Sequence, residues 1–245
     1  MIDSLLKLRE FEDKCLRYIQ IVGPGKSLLD YVDTDNIMID SAGTAFIKNS
    51  EQYNGGGISR AIYKHFGIYM KKHEPFQIKL NTTDAIISND KRITKHVNLI
   101  HAIGPNGKKS PFEDVNNYND AIKNTIINIS EEIKKIDNYK NKTLLLPLIS
   151  HGIYRNSHVS NQAYAENYIK YIMEFLYQQE IRIFLFVWEQ DDIHLYKQLI
   201  QQAQSAWPAW PAGPAAVPHQ SNQVRCYDFD GVVHTKMGKH ENLYG

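Results

Sequence analysis

The run Lys142-Thr-Leu-Leu-Leu-Pro-Leu-Ile149 is apolar at every position from Leu144 onward. A strand without polar alternation is covered on both faces, and such strands belong to parallel sheets with helices on either side. Glu180-Ile-Arg-Ile-Phe-Leu-Phe-Val-Trp188 is a second strand of this kind. Shorter strands are expected at Tyr18–Val22, Asn36–Asp40, Pro75–Leu80, Asp84–Ser88 and Val97–Ile103. Helical periodicity marks 2–17, 58–66, 116–134, 158–177 and 192–203. Strands separated by helices describe a layered α/β domain.

The 245 residues suffice for one large domain or two small ones. Near residue 203 the composition changes to Gln201-Gln-Ala-Gln-Ser-Ala-Trp-Pro-Ala-Trp-Pro-Ala-Gly-Pro-Ala-Ala-Val-Pro218, where proline recurs too often for a helix or a sheet interior. The expected organisation is a body over 1–203, an Ala/Pro/Trp linker over 204–223 and a C-terminal piece over 224–245. The linker tryptophans, Trp207 and Trp210, are either a docking motif or incidental to a spacer.

Charge narrows the partners. The 28 basic residues nearly cancel the 27 acidic ones, which argues against nucleic acid held by bulk electrostatics. The two cysteines, Cys15 and Cys226, lie near opposite ends, so a reducing setting, cytoplasmic or nuclear, is expected. The start of the chain is too charged for a signal peptide, and no apolar run is long enough for a bilayer.

Two stretches carry candidate chemistry. In the first, Gly55, Gly56 and Gly57 end a polar segment and open an apolar run in which Ile58, Ile62 and Phe66 share a helix face. Glycines at a helix N-terminus let a ligand approach bare N–H groups at the positive end of the dipole, which suits a phosphate. The same run also serves a loop that only needs flexibility. The second stretch is Pro147-Leu-Ile-Ser-His-Gly-Ile-Tyr154, where a buried strand runs into a glycine-containing loop. Such strand ends border the ligand crevice of an α/β sheet. Gly23-Pro-Gly-Lys-Ser27 lacks the first glycine of a P-loop, since Gln20 occupies that position, and reads as a turn into a short helix. His96 and His101 are expected in or beside one strand and on opposite faces, and no metal cluster is indicated.

Four segments in series resemble a macrodomain, the ADP-ribose-binding fold. They are Ile37-Met-Ile-Asp-Ser-Ala42, Gly55-Gly-Gly-Ile-Ser-Arg-Ala-Ile62, Leu99-Ile-His-Ala-Ile-Gly-Pro105 and Leu146-Pro-Leu-Ile-Ser-His-Gly-Ile-Tyr154. Phe186-Val-Trp-Glu-Gln-Asp-Asp-Ile-His-Leu-Tyr196 fits that family's end, so the resemblance covers about residues 15–203. It implies a three-layer α/β/α sandwich around a mixed sheet, with ADP-ribose or an ADP-ribosylated protein as partner and no cofactor, metal or membrane. It assigns ligand contacts to Ala42, Gly43 and Asn54, and to Gly55, Gly56, Gly57 and Ile58 around the distal ribose and phosphates. Ser150, His151, Gly152, Ile153 and Tyr154 would close over the diphosphate. Trp188 would either stack on adenine or pack in the core.

The departures from the family pattern concern catalysis. Gly25-Lys26 stands where members commonly carry an adenine-binding Asp after glycine. Gly43 takes the place of the second Asn of the family's Val-Asn-Ala-Ala-Asn, and Ser59 that of an Asp in hydrolytic members. Thr44, Asn49 and Asn54 are candidates to fill the longer interval before the glycines. Asp40 and His151 remain as catalytic candidates, and the expected function is binding of ADP-ribose or a derivative. The alternatives are hydrolysis of ADP-ribose from proteins or of phosphate from ADP-ribose 1″-phosphate, and a degenerate domain kept for protein contacts. The Lys-, Asn- and Ile-rich body suggests an AT-rich genome, of viral type. Val224-Arg-Cys-Tyr-Asp-Phe-Asp-Gly-Val-Val-His234 resembles the first motif of haloacid-dehalogenase-like phosphatases, with Asp228 as nucleophile and Asp230 as acid/base. The downstream Ser/Thr, Lys and acidic pair of that family have no counterpart before Gly245, so a truncated, inactive fragment is expected.

Overall fold

A computed structural model of the chain describes residues 19–42, 57–67, 80–206, 225–227 and 233–235. The helix expected over 2–17, most of the strand at 75–80, residues 207–223 of the linker, and Thr44, Asn49, Asp228 and Asp230 lie outside them. Six strands form the main sheet: β1 (Ile19–Val22), β2 (Asn36–Ala42), β3 (Ala85–Ile87), β4 (Asn98–Ile103), β5 (Thr143–Pro147) and β6 (Arg182–Phe186), in the order β1-β6-β5-β2-β4-β3. Every pairing is parallel except β3 with β4. The sheet is therefore mixed, with an antiparallel strand at one edge.

Alternation assigns the two faces. Ile37, Ile39, Ile100, Ala102, Leu144, Leu146, Ile183 and Leu185 belong to one core, and Met38, Ala42, Leu99, Ile103, Leu145, Phe184 and Phe186 to the other. The second core takes Ile62 and Tyr63 of α1 (Gly57–His65) and Ile93 of the one-turn α2 (Lys91–Thr94). The first is closed by α3 (Val115–Ile133), α4 (Asn161–Tyr171) and α5 (Gln190–Ala206). Helices on both faces make the three-layer α/β/α sandwich.

Local sequence accounts for the helix ends. Asp114 caps α3 by accepting from the Asn117 N–H at 2.9 Å, and Ile122, Ile126, Ile129 and Ile133 then recur on its buried face. Ser160 caps α4 by accepting from the Ala163 N–H at 3.1 Å. Beyond Tyr171 this helix relaxes into a π turn, Ile172–Leu176, where a continuous α-helix to 177 is expected. Helix α5 runs to Ala206, three residues past the expected end. His96 lies beside β4 and is exposed, while His101 lies within the strand.

The strand expected before Asp228 is present as β7 (Arg225–Tyr227). It pairs antiparallel with β8 (Val233–Thr235), Cys226 opposite His234. Among the described residues no helix is long and apolar enough to cross a membrane.

Candidate functional site

The five parallel strands end along one edge of the sheet, and the loops leaving them carry most of the expected site. The loop after β5 is the best defined. Its carbonyl groups are tied down by the surrounding helices. The Tyr168 hydroxyl donates to the Pro147 carbonyl at 2.7 Å, Tyr164 to Ile149 at 2.6 Å, and Tyr118 to Ser150 at 2.7 Å. Within and beside the loop, the Arg155 N–H donates to the Gly152 carbonyl at 3.2 Å and the Gly107 N–H to that of Tyr154 at 2.8 Å. The N–H groups of Ser150, His151, Gly152, Ile153 and Tyr154, by contrast, have no acceptor among the described residues.

Successive N–H donors without acceptors, beside Ser150, Gly152 and Tyr154 carbonyls that accept from elsewhere, are an arrangement that suits an anion. Ser150 contributes a left-handed turn, φ 59°, of the kind that aligns successive N–H groups. The tyrosines that hold it are deeply buried, and burial pushes the phenols of Tyr118, Tyr164 and Tyr168 upward, so they stay protonated donors.

A second loop braces the first. A Cβ on Gly107 would lie 2.4 Å from the Asn156 backbone nitrogen, so only glycine allows the two loops to approach so closely. Asn156 is wholly buried. Its Nδ2 donates to the Phe112 and Glu113 carbonyls, both at 2.9 Å, and its Oδ1 accepts from the His158 N–H at 2.8 Å.

His151 sits at the back of the loop, its ring 4.9 Å from that of Tyr164 and its Nε2 3.8 Å from Asp192 Oδ2 on α5. Burial holds its imidazole below the usual histidine range, against the opposing pull of Asp192; Arg155 pushes the same way as burial, and Glu189 opposes them. On the neighbouring strand end, Trp188 is 45% exposed and, on the β5 loop, Ile153 is 69% exposed. Trp188 is thus partly covered by its neighbours and partly open to solvent.

Asp40 has other neighbours than a base in the cleft requires. It is fully buried on the α1 side of the sheet, opposite in direction to Ile39. Its Oδ2 lies 2.9 Å from His101 Nδ1, the residue paired with it in register on β4, and Tyr63 of α1 donates to the same oxygen at 3.4 Å. So placed, the carboxylate joins β2 to β4 and to α1 within the core. Ser59 is also buried, within α1. Gly57 opens α1 with φ 55°, Ile58 beside it is half-buried, and Ala42 ends β2 in the core. Gly43, Asn54, Gly55 and Gly56 lie outside the described residues.

Sequence reasoning missed the supports of the loop: Tyr118, Tyr164, Tyr168, Gly107 and Asn156. The one available signal was Tyr164 and Tyr168 at helical spacing on a face otherwise filled by Ala165 and Ile169. Among the described residues no group of three His, Cys, Asp or Glu side chains could hold a metal ion.

No family model and no curated protein matches the chain. Solved structures do match. A Trypanosoma brucei macrodomain in complex with ADP is 15% identical, over 76% of this chain and 70% of that one, with a TM-score of 0.54. An Oceanobacillus iheyensis macrodomain with MES bound is 20% identical, over 76% and 91%, with a TM-score of 0.53. An alphavirus structure, P23pro-zbd, is 16% identical over 77% of this chain, which spans only 24% of that one, with a TM-score of 0.52. At such identities the likeness speaks for the fold: this chain has the macrodomain fold.

Proposed function

We propose that this protein binds ADP-ribose or a close derivative, free or attached to a protein, with the diphosphate on the β5 loop. The observation that carries the reading is the asymmetry of that loop, its carbonyls accepting from Tyr118, Tyr164, Tyr168, Gly107 and Arg155 and its N–H groups unspent. Donors arranged this way cost no reorganisation when an anion arrives. The macrodomains of like fold include one solved with ADP and one with ADPR. The glycine run ending at Gly57 would supply the opposite wall, with Ala42, Gly43, Asn54 and Ile58 about the distal ribose, and Trp188 would stack on the base.

Binding without turnover is favoured over hydrolysis. Asp40 is committed to His101, and Ser59 is a buried hydroxyl that cannot act as a carboxylate base. The test is calorimetric titration of the full chain with ADP-ribose, beside Gly152→Glu. Gly152 is exposed and has nothing within 4 Å of where a Cβ would stand, so the substitution leaves the fold alone. It brings a negative charge to the phosphate position and is expected to abolish binding. Unchanged affinity in that variant would move the site elsewhere.

A further inference from the structure

Beneath the β5 loop three buried polar atoms have no hydrogen-bond partner among the described residues: His151 Nε2, Asp192 Oδ2 and, one turn further along α5, the Tyr196 hydroxyl. Native interiors rarely leave such atoms unmatched, because each forfeits the water it gave up. Here the mismatch has a simple remedy. At 3.8 Å, His151 Nε2 and Asp192 Oδ2 are too far apart to bond, and a movement of about 1 Å would join them. Asp192 is the fixed partner. Its Oδ1 accepts from Asn161 Nδ2 at 3.1 Å, and its backbone N–H donates to the Glu189 carbonyl at 3.1 Å. His151 is the movable one: its ring only packs on that of Tyr164, so the side chain can shift while the loop backbone stays held by its carbonyls.

We propose that anion binding on the β5 loop is coupled to uptake of one proton from solvent at His151, whose imidazolium then closes on Asp192. The proposal rests on the functional reading above. The charges facing the imidazole are few: Asp192 and Glu189 from α5, Arg155 from the loop itself, with the phenols of Tyr164 on α4 and Tyr196 on α5 neutral beside it. Without a ligand, burial and the Arg155 cation outweigh the two carboxylates and hold the imidazole below the usual histidine range. A diphosphate on the adjacent N–H groups adds negative charge and offsets Arg155, which reverses that balance. The sign follows. Because the proton is bound more tightly in the complex, affinity is greatest below the free-state titration and falls as pH rises through that of the complex.

ADP-ribose is the right probe, because each of its phosphates carries one ester and the shared anhydride, which leaves only strongly acidic protons and none that titrates near neutrality. Its binding to the full chain, measured by calorimetry in buffers of different ionisation enthalpy, is expected to take up roughly half a proton or more near pH 6. His151→Gln should abolish the uptake, and Asp192→Asn should diminish it while retaining binding. In the unsubstituted chain, the imidazole resonance assigned to His151 by its through-space contact with the Tyr164 ring 4.9 Å away should titrate at higher pH once ADP-ribose is added. That last measurement stands even where a variant fails to fold. Binding with no buffer dependence, or uptake that survives in His151→Gln, overturns this inference alone. No heat of ADP-ribose binding at any pH overturns it together with the functional reading.

Discussion

The Tyr118 hydroxyl donates to the Ser150 carbonyl at 2.7 Å, tying α3 to the loop that leaves β5. The carbonyl so held belongs to the residue with φ 59°, where the chain reverses to present its N–H groups. Tyr118→Phe removes that one bond and nothing else of the ring. The expected loss of stability is about 1 kcal/mol in denaturant unfolding. ADP-ribose affinity should fall several-fold besides, because the loop must then be ordered at the moment of binding. Affinity equal to wild type would mean that Tyr164 and Tyr168 suffice to hold it.

On the opposite side of the sheet, Asp40 and His101 form an enclosed pair with side chains 0% and 3% exposed. His101→Leu strands a buried carboxylate and should cost about 3–5 kcal/mol. Replacing both with leucine should cost much less than the two single changes added together, since no charge is then left behind. Additive losses in the double-mutant cycle would show that the pair is not coupled.

How far the sequence could lead is illustrated by these two sites. The strands of the sheet were legible from Leu144–Leu146 and Ile183–Phe186 because burial on both faces removes all polar alternation. The direction of Asp40 was open beside Ile39, and only its register against His101 resolves it. The loop Ser150–Tyr154 was visible as a glycine-bearing strand end. Its supports were not, because Tyr118 meets the Ser150 carbonyl across 32 residues of chain and Tyr168 the Pro147 carbonyl across 21, and no local pattern records a contact made in tertiary structure. Helix α5 overran its expected end for a local reason, since glutamine and alanine continue a helix as readily as the residues before them.

Acid should weaken the unliganded protein through His151. Its imidazole titrates below the ordinary histidine value in the folded state, chiefly because of burial. A base held neutral by folding contributes its full stability above the unfolded-state pKa and loses it as pH falls through the folded one. Denaturant unfolding followed from pH 7.5 down to pH 5 should therefore show a decline that is shallower in His151→Gln. Equal slopes in the two proteins would assign the acid sensitivity to other groups. Saturating ADP-ribose should flatten the decline in the unsubstituted chain.

Trp188 separates recognition of the base from recognition of the phosphates. It stands at the C-terminal end of β6, 45% exposed. Trp188→Ala should thus change stability by no more than about 0.5 kcal/mol, as surface substitutions generally do. Stacking of a base on an aromatic ring contributes on the order of 1–3 kcal/mol, so the same change should weaken ADP-ribose binding by about tenfold or more. Ribose 5-phosphate, which has the sugar and an anion but no base, provides the control. Its affinity should be the same for both proteins if Trp188 serves the adenine alone. Trp188→Phe should restore most of the ADP-ribose affinity, because the smaller ring keeps a π face at the same strand end. Equal losses for both ligands would instead mean that the tryptophan supports the loop after β5, and the adenine would then have to lie elsewhere along the strand ends.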